Sequence, residues 1–117
     1  VIFVKNVQKI LGEANDLFEQ AEIAVEETPE TGYSLFLQGI SLLFKAFLNA
    51  NGVAGTGELL GLFYECKQLE PEFEDIEAEL LSLLEANPAL LEGENLCDSA
   101  NEIWDFVVDF VNDNDIR

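Results

Sequence analysis

The stretch YSLFLQGISLLFKAFL, residues 33–48, decides the fold. After Tyr33 its polar residues are Ser34, Gln38, Ser41 and Lys45. That spacing is helical and gathers all of them on one narrow stripe. The rest of the circumference is Leu, Phe, Ile, Ala and Gly. A helix so apolar belongs in the middle of a protein or in a subunit interface. The chain is therefore expected to be built around one central helix with a single polar seam.

Working outward, residues 2–27 read as one long helix. Phe3, Val7, Ile10, Ala14, Leu17, Ala21 and Ala24 form its apolar seam, with Gly12 a weak point. Thr28-Pro29-Glu30-Thr31-Gly32 has the composition of a turn. The central helix should then run from about 32 to 50 and stop at Asn51-Gly52. Thr56 can cap a third helix facing inward with Leu59, Leu62, Phe63 and Cys66. Pro71 suits the first position of a fourth helix, whose apolar residues are Phe73, Ile76, Leu80, Leu83 and Leu84. The acids crowding its start, Glu70 to Glu79, are stabilised there by the helix dipole. Pro88 and Gly93 bracket a short connection. A last helix follows from about Leu96 to Asn112, with Ala100, Ile103, Trp104, Val107, Val108 and Val111 inward. Ser99 and Glu102 also fit a capping box that would start it later. The expectation is all-α: an up-and-down bundle of four long helices and a short one, one domain over residues 1–117.

Composition narrows the function. The chain has 117 residues, 49% of them apolar, so it can bury a real core. Residues 33–48 are the nearest approach to a bilayer span, but they are short and interrupted by Gln38 and Lys45. Val1-Ile2-Phe3-Val4 leads into Lys5 and Lys9 without a small-residue cleavage site, so no signal peptide is expected. The chain lacks an initiator methionine, and indeed any methionine, so its first residues are expected either to have been removed or to lie outside this sequence. Cys66 and Cys97 each stand alone in a helical pattern, which suits free thiols in a reducing cytoplasm.

There are 24 acids against 5 bases, a formal net charge of −19. Such a surface repels nucleic acid and anionic lipid, so neither is an expected partner. The acidity fits, in order of preference, a well-solvated surface, a face for a basic protein partner, or a cation site.

The chain holds no histidine, which removes the commonest general base and metal ligand. The Glu-x-x-His pairs of di-metal bundles cannot form. Carboxylate pairs such as Glu19 with Glu22 and Glu74 with Glu77 are expected by chance in so acidic a chain. Gly52, Gly55 and Gly57 lack the Gly-Lys-Ser/Thr ending of a phosphate loop. No catalytic residue, metal or cofactor is expected. Gln38, Ser41 and Lys45 remain as candidate ligand contacts. They read first as a seam in which Lys45 carries its charge to the surface over an apolar stem, and second as the lining of an anion cleft.

The order of motifs resembles the HEPN family (higher eukaryotes and prokaryotes nucleotide-binding) over most of the chain. It begins with Ala14-Asn15-Asp16-Leu17-Phe18-Glu19-Gln20-Ala21 and continues with a Tyr-led helix containing Gln38 and Lys45-Ala46-Phe47-Leu48. Asn51-Gly52-Val53, Thr56-Gly57-Glu58-Leu59-Leu60-Gly61-Leu62 and Leu69-Glu70-Pro71-Glu72-Phe73 follow. Gln38 matches one of the family's paired glutamines, Gly39 the small residue after it, Lys45 its lysine and Gly52 its loop glycine. Three positions depart from the pattern. Gly57 stands where the family's Thr-His pair has histidine, and Ser41 where a glutamate is expected. Residues 86–112 contain no arginine for the Arg–His motif of the RNA-cleaving members.

The resemblance implies a HEPN-like bundle without that cleavage site, a dimer packed through helices, and a minimal nucleotidyltransferase as a frequent partner. The expected function is thus non-catalytic: dimerisation and protein association. A nucleotide-binding domain using Gln38, Ser41 and Lys45 is the alternative. Phe36, Ile40, Phe44 and Phe47 are the residues expected to be shared between core and dimer interface.

Overall fold

Apolar patterning becomes helix throughout the described part of the computed structural model. It describes residues 2–55, 57–87 and 93–116, with side chains for 7–55, 57–87 and 95–111. The elements are α1 (Ile2–Glu27), α2 (Pro29–Ala50), α3 (Leu59–Leu69), a 3-10 segment (Pro71–Ile76), α4 (Glu77–Glu85) and α5 (Gly93–Ile116). No strand occurs among the described residues. The fold is all-α. Three long helices, of 26, 22 and 24 residues, dominate it, while α3 and α4 have 11 and 9.

Most of the turn expected at 28–32 is helix. Thr28 alone separates α1 from α2. Its N–H donates to the Ala24 carbonyl, closing α1, while its own carbonyl accepts from Thr31 and Gly32, opening α2. Pro29 fits the first helical position because that N–H would be unpaired in any case. The reversal lays α1 antiparallel along α2 at short range. A Cβ on Gly32 would stand 2.7–2.9 Å from the Cβ, Cα and N of Val25, and one on Gly39 would stand 2.6 Å from the Phe18 ring. Small residues on α2 thus allow the backbones to approach.

The far end of α2 stops as its sequence suggests. Gly52 has φ +79°; its N–H donates to Asn49 O, and Val53 N–H donates to Leu48 O. Those two bonds make a Schellman cap. The start of α3 falls at Leu59, with Glu58 before it; Thr56, expected as the cap, lies outside the described residues. Pro71 opens a 3-10 segment before α4, and the Glu70 carboxylate accepts from Glu72 N–H at 3.4 Å. The last helix begins at Gly93, earlier than either expected start, and Pro88 lies outside the described residues.

Helix α2 is the hub, meeting α1, α3 and α5. Phe36, Ile40, Leu43, Phe44, Ala46, Phe47 and Leu48 are all buried, and with them Gly32 and Gly39. Phe73 from the 3-10 segment packs among Phe47, Phe106 and Phe110, with ring centroids 4.7–5.6 Å apart. Of the expected α1 seam, Val7, Ala14 and Ala21 are buried, Ile10 is half-exposed, and the Phe3 side chain lies outside the described ones. Phe18 and Val25 are buried, while Leu17 and Ala24 are half-exposed. Phe18 meets Phe36 and Trp104 at 5.2 and 4.9 Å, tying α1 to both α2 and α5.

Helix α2 is longer than the apolar stretch read from the sequence. At 22 residues and a windowed mean hydropathy of 1.2, it is long and apolar enough to cross a membrane. Half of that window is buried inside the protein, the expected condition of a core helix.

Candidate functional site

Among the described residues, one face of α2 is left uncovered by the other helices, and it is the polar seam. Ser34 and Gln38 are exposed; Ser41 and Lys45 are half-buried. Helical spacing keeps them in line, as the sequence predicted. Gln38 Nε2 donates to Ser34 Oγ at 3.4 Å, and Ser41 Oγ donates back to the Leu37 carbonyl at 3.1 Å. The hydroxyl and the amide therefore satisfy part of their hydrogen bonding within the helix. Lys45 makes no ion pair; the one ion pair among the described residues joins Lys67 to Glu77 at 2.6 Å.

Two open clefts flank the seam, one on the side of α3 and α4 and one on the side of α1, and share Gln38 and Ser41. The larger, about 480 Å³, adds Ser34 and Leu37 from α2, Glu58, Leu59 and Leu60 from the start of α3, and Leu84 from α4. The smaller, about 280 Å³, adds Leu42 and Lys45 from α2 and Leu17 from α1. Together they form a shallow trough with a polar floor and leucine walls contributed by four helices. The trough is broad and open, unlike the enclosing pocket that buries most of a small ligand.

The walls were assigned to the interior by sequence. Leu17, Leu59 and Leu84 belong to apolar stripes, yet all are half-exposed here, and Leu60 is exposed. Leu60 falls outside its helix's expected inward stripe; that off-stripe leucine was the available signal. Tyr33 braces one end of the trough. Its hydroxyl donates to the carbonyls of Leu83 and Leu84 at 2.7 and 3.3 Å. Leu83 O also accepts from Ala86 N–H at 3.3 Å, and the hydroxyl adds a second bond to the last turn of the helix that carries Leu84.

Phe36, Ile40, Phe44 and Phe47 do not reach this or any other surface. All four lie in the core of the single chain, 0–2% exposed. The core half of their expected role is met within the single chain. The close approach of α1 at Gly32 and Gly39, with α3, α5 and Phe73 on other sides, covers the apolar part of the α2 circumference.

The other candidate groups are unreactive. Cys66 is buried, its thiol 3.6 Å from the Phe44 carbonyl, and burial together with Glu65 pushes its pKa up. Burial also raises Cys97, reinforced by Glu22, Asp98 and Glu26. Neither thiol is poised as a thiolate. The Lys67–Glu77 pair edges a separate cleft of about 330 Å³ with Glu74, Ala78 and Leu81. Its partner's hydrogen bond raises the Lys67 pKa, the ordinary effect of a surface pair. Among the described residues no group of three or more Asp, Glu or Cys is arranged to hold a metal ion.

No protein-family model, curated protein or solved structure matches the chain.

Proposed function

We propose that the chain is a non-catalytic, HEPN-like helical module that works by associating with another protein through the trough over α2. One observation carries this reading. The central helix is packed on its other sides and keeps one leucine-walled face for something outside the chain. Hydrogen bonding, apolar contact, the Glu58 carboxylate and the Lys45 ammonium group are the chemistry available there. The partner expected from the family resemblance is a minimal nucleotidyltransferase, and from the net charge a basic protein. Self-association is the weaker form, since its candidate residues lie in the core and each copy brings −19. An up-and-down four-helix arrangement with a short extra helix belongs to the same proposal, as does a cytoplasmic setting.

Capture from an extract of the source cells tests it, using the wild type, Leu60→Glu in the trough wall and Ile23→Glu on the outer face of α1. Ile23 is 74% exposed and serves as the remote control. Proteins recovered by the wild type and Ile23→Glu but lost with Leu60→Glu are the expected result. Three identical profiles would refute the proposal.

The unpaired ammonium of Lys45 beside the smaller cleft favours the second reading, a nucleotide-binding domain using Gln38, Ser41 and Lys45. Calorimetric titration of ATP separates the two. The association reading predicts no binding, because the net charge opposes a polyphosphate and no second cation lines the cleft. Binding that disappears in Lys45→Gln with the melt unchanged would establish the nucleotide site.

A further inference from the structure

We infer that Asn51-Gly52 is a deamidation site held shut by the cap that ends α2, and that it is modified when that cap opens. Asparagine loses its side-chain amide most readily before glycine, which leaves the next backbone nitrogen free to approach. This chain has one Asn-Gly pair. The Gly52 nitrogen gives its proton to hydroxide and attacks Asn51 Cγ. The N–Cγ bond forms, the Cγ–Nδ2 bond breaks, and ammonia leaves with a proton taken from water, closing a succinimide ring. Water then opens the ring. Attack at Cγ gives aspartate, and attack at the main-chain carbonyl carbon gives isoaspartate, with the backbone running through Cγ. Nothing is oxidised or reduced.

The folded geometry opposes the first step. Ring closure needs Asn51 Cβ and the Gly52 nitrogen on the same side of the Cα–C bond, which for an L residue is ψ roughly −120°. Asn51 has ψ 11°. The bond must therefore turn by about 130°. That turn carries Gly52 N–H away from the Asn49 carbonyl at 3.0 Å and Val53 N–H away from the Leu48 carbonyl at 2.8 Å. The reacting amide is held as well, since Asn51 Nδ2 donates to the Phe47 carbonyl at 2.9 Å. Beyond the pair the loop is anchored. The Asn49 amide, turned with its nitrogen toward the loop, donates to the carbonyls of Val53 and Ala54 at 2.8 and 3.2 Å. Asn51 and Gly52 are both exposed, so water and hydroxide reach them. Hydrogen bonding protects the pair; shielding from solvent does not.

Once converted, the cap is weaker. Aspartate at position 51 lacks the amide donor and places a negative charge at the C-terminus of α2, the negative end of the helix dipole. Isoaspartate adds a backbone atom inside the bonded turn. Each modification thus records one opening and favours the next.

The test compares conversion rates at physiological temperature and pH, by peptide mapping with mass spectrometry that separates aspartate from isoaspartate. The samples are the folded wild type, the wild type in denaturing urea, a synthetic peptide of residues 46–57, and Asn49→Ala checked by thermal melt. The folded wild type should convert about tenfold or more slowly than the peptide, a factor that needs an opening free energy of only about 1.4 kcal/mol. Urea should bring its rate to that of the peptide. Asn49→Ala, without the loop anchor, should convert faster than the folded wild type; should it fail to fold, it becomes a second unfolded sample and should convert as the peptide does. In the wild type, protection from deamidation should match the protection of the Gly52 and Val53 amides from hydrogen exchange, since one opening gates both. Equal rates in the folded protein and the peptide would overturn the inference, as would a folded rate that urea leaves unchanged. Slow conversion beside unprotected Gly52 and Val53 amides would overturn it too.

Discussion

Gly12 and Gly32 lie in the same helical hairpin and should respond in opposite ways to alanine. Nothing lies within 4 Å of a Cβ built on Gly12, so Gly12→Ala should stabilise by about 0.5–1 kcal/mol through helix propensity alone. At Gly32 the same methyl meets the backbone of Val25 at 2.8–2.9 Å, and backbone cannot rotate away. Gly32→Ala should destabilise by about 1–3 kcal/mol, the range for overpacking a tight contact. Urea melts of the two variants give the comparison.

Titrating residues set the alkaline limit of stability. The Cys66 and Cys97 thiols are raised from an ordinary 9.0 and the Tyr33 phenol from 10.0, in each case chiefly by burial. Above about pH 9 the unfolded chain releases protons that the folded chain retains. The unfolded state then binds fewer protons, and stability falls as pH rises. Lys67, held protonated by Glu77, acts in the same direction. Melts between about pH 8 and 11 should show the decline, with a shallower slope in Cys66→Ala.

Single residues also mark where sequence reading stops. Leu17 and Phe18 are adjacent and both apolar, so periodicity cannot say which faces inward. The choice of Phe18 depends on Gly39 making room beneath its ring and on Trp104 lying beyond it, both contacts between helices. In the same way, the seam Ser34–Gln38–Ser41–Lys45 was legible because four polar residues interrupt an otherwise apolar surface, whereas its leucine walls were not. Each wall residue sits at the margin of a different helix, and only the packing of those helices brings them together.

At the level of elements, α2 was legible as a core helix because its composition allows no other placement. The number of its neighbours was not. So apolar a helix suits a protein core or a subunit interface equally well, and the close approach of α1 and the insertion of Phe73 show how much of it is covered within one chain. The Pro29–Gly32 segment was also ambiguous, since proline and glycine serve a turn or a helix start equally well; the Gly32–Val25 approach belongs to the tight hairpin that resolves it. The link from α2 to α4 makes a separate prediction. Tyr33→Phe keeps the ring and removes the hydroxyl that donates to the Leu83 carbonyl, which retains its bond from Ala86 N–H. It should cost about 0.5–1.5 kcal/mol, and amide exchange should quicken most in α4.

On the scale of the whole molecule, a body of 42 × 25 × 22 Å carries a net charge of −19. Self-repulsion opposes compactness, and salt screens it. The melting temperature should therefore rise as sodium chloride increases from about 20 to 500 mM, over which the screening length shortens severalfold. A basic partner should stabilise in the same way but saturate at stoichiometry.

That charged body is packed around α2 and keeps one leucine-walled trough open, and the trough is where association is proposed to occur. Site-specific photo-crosslinking in the native cell addresses this most directly. A photoreactive aromatic residue is placed at position 60 in the trough wall, and separately at position 23 on the outer face of α1. A discrete protein adduct from position 60 and none from position 23 is the predicted result. The same adducts from both positions, or adducts from position 23 alone, would contradict it.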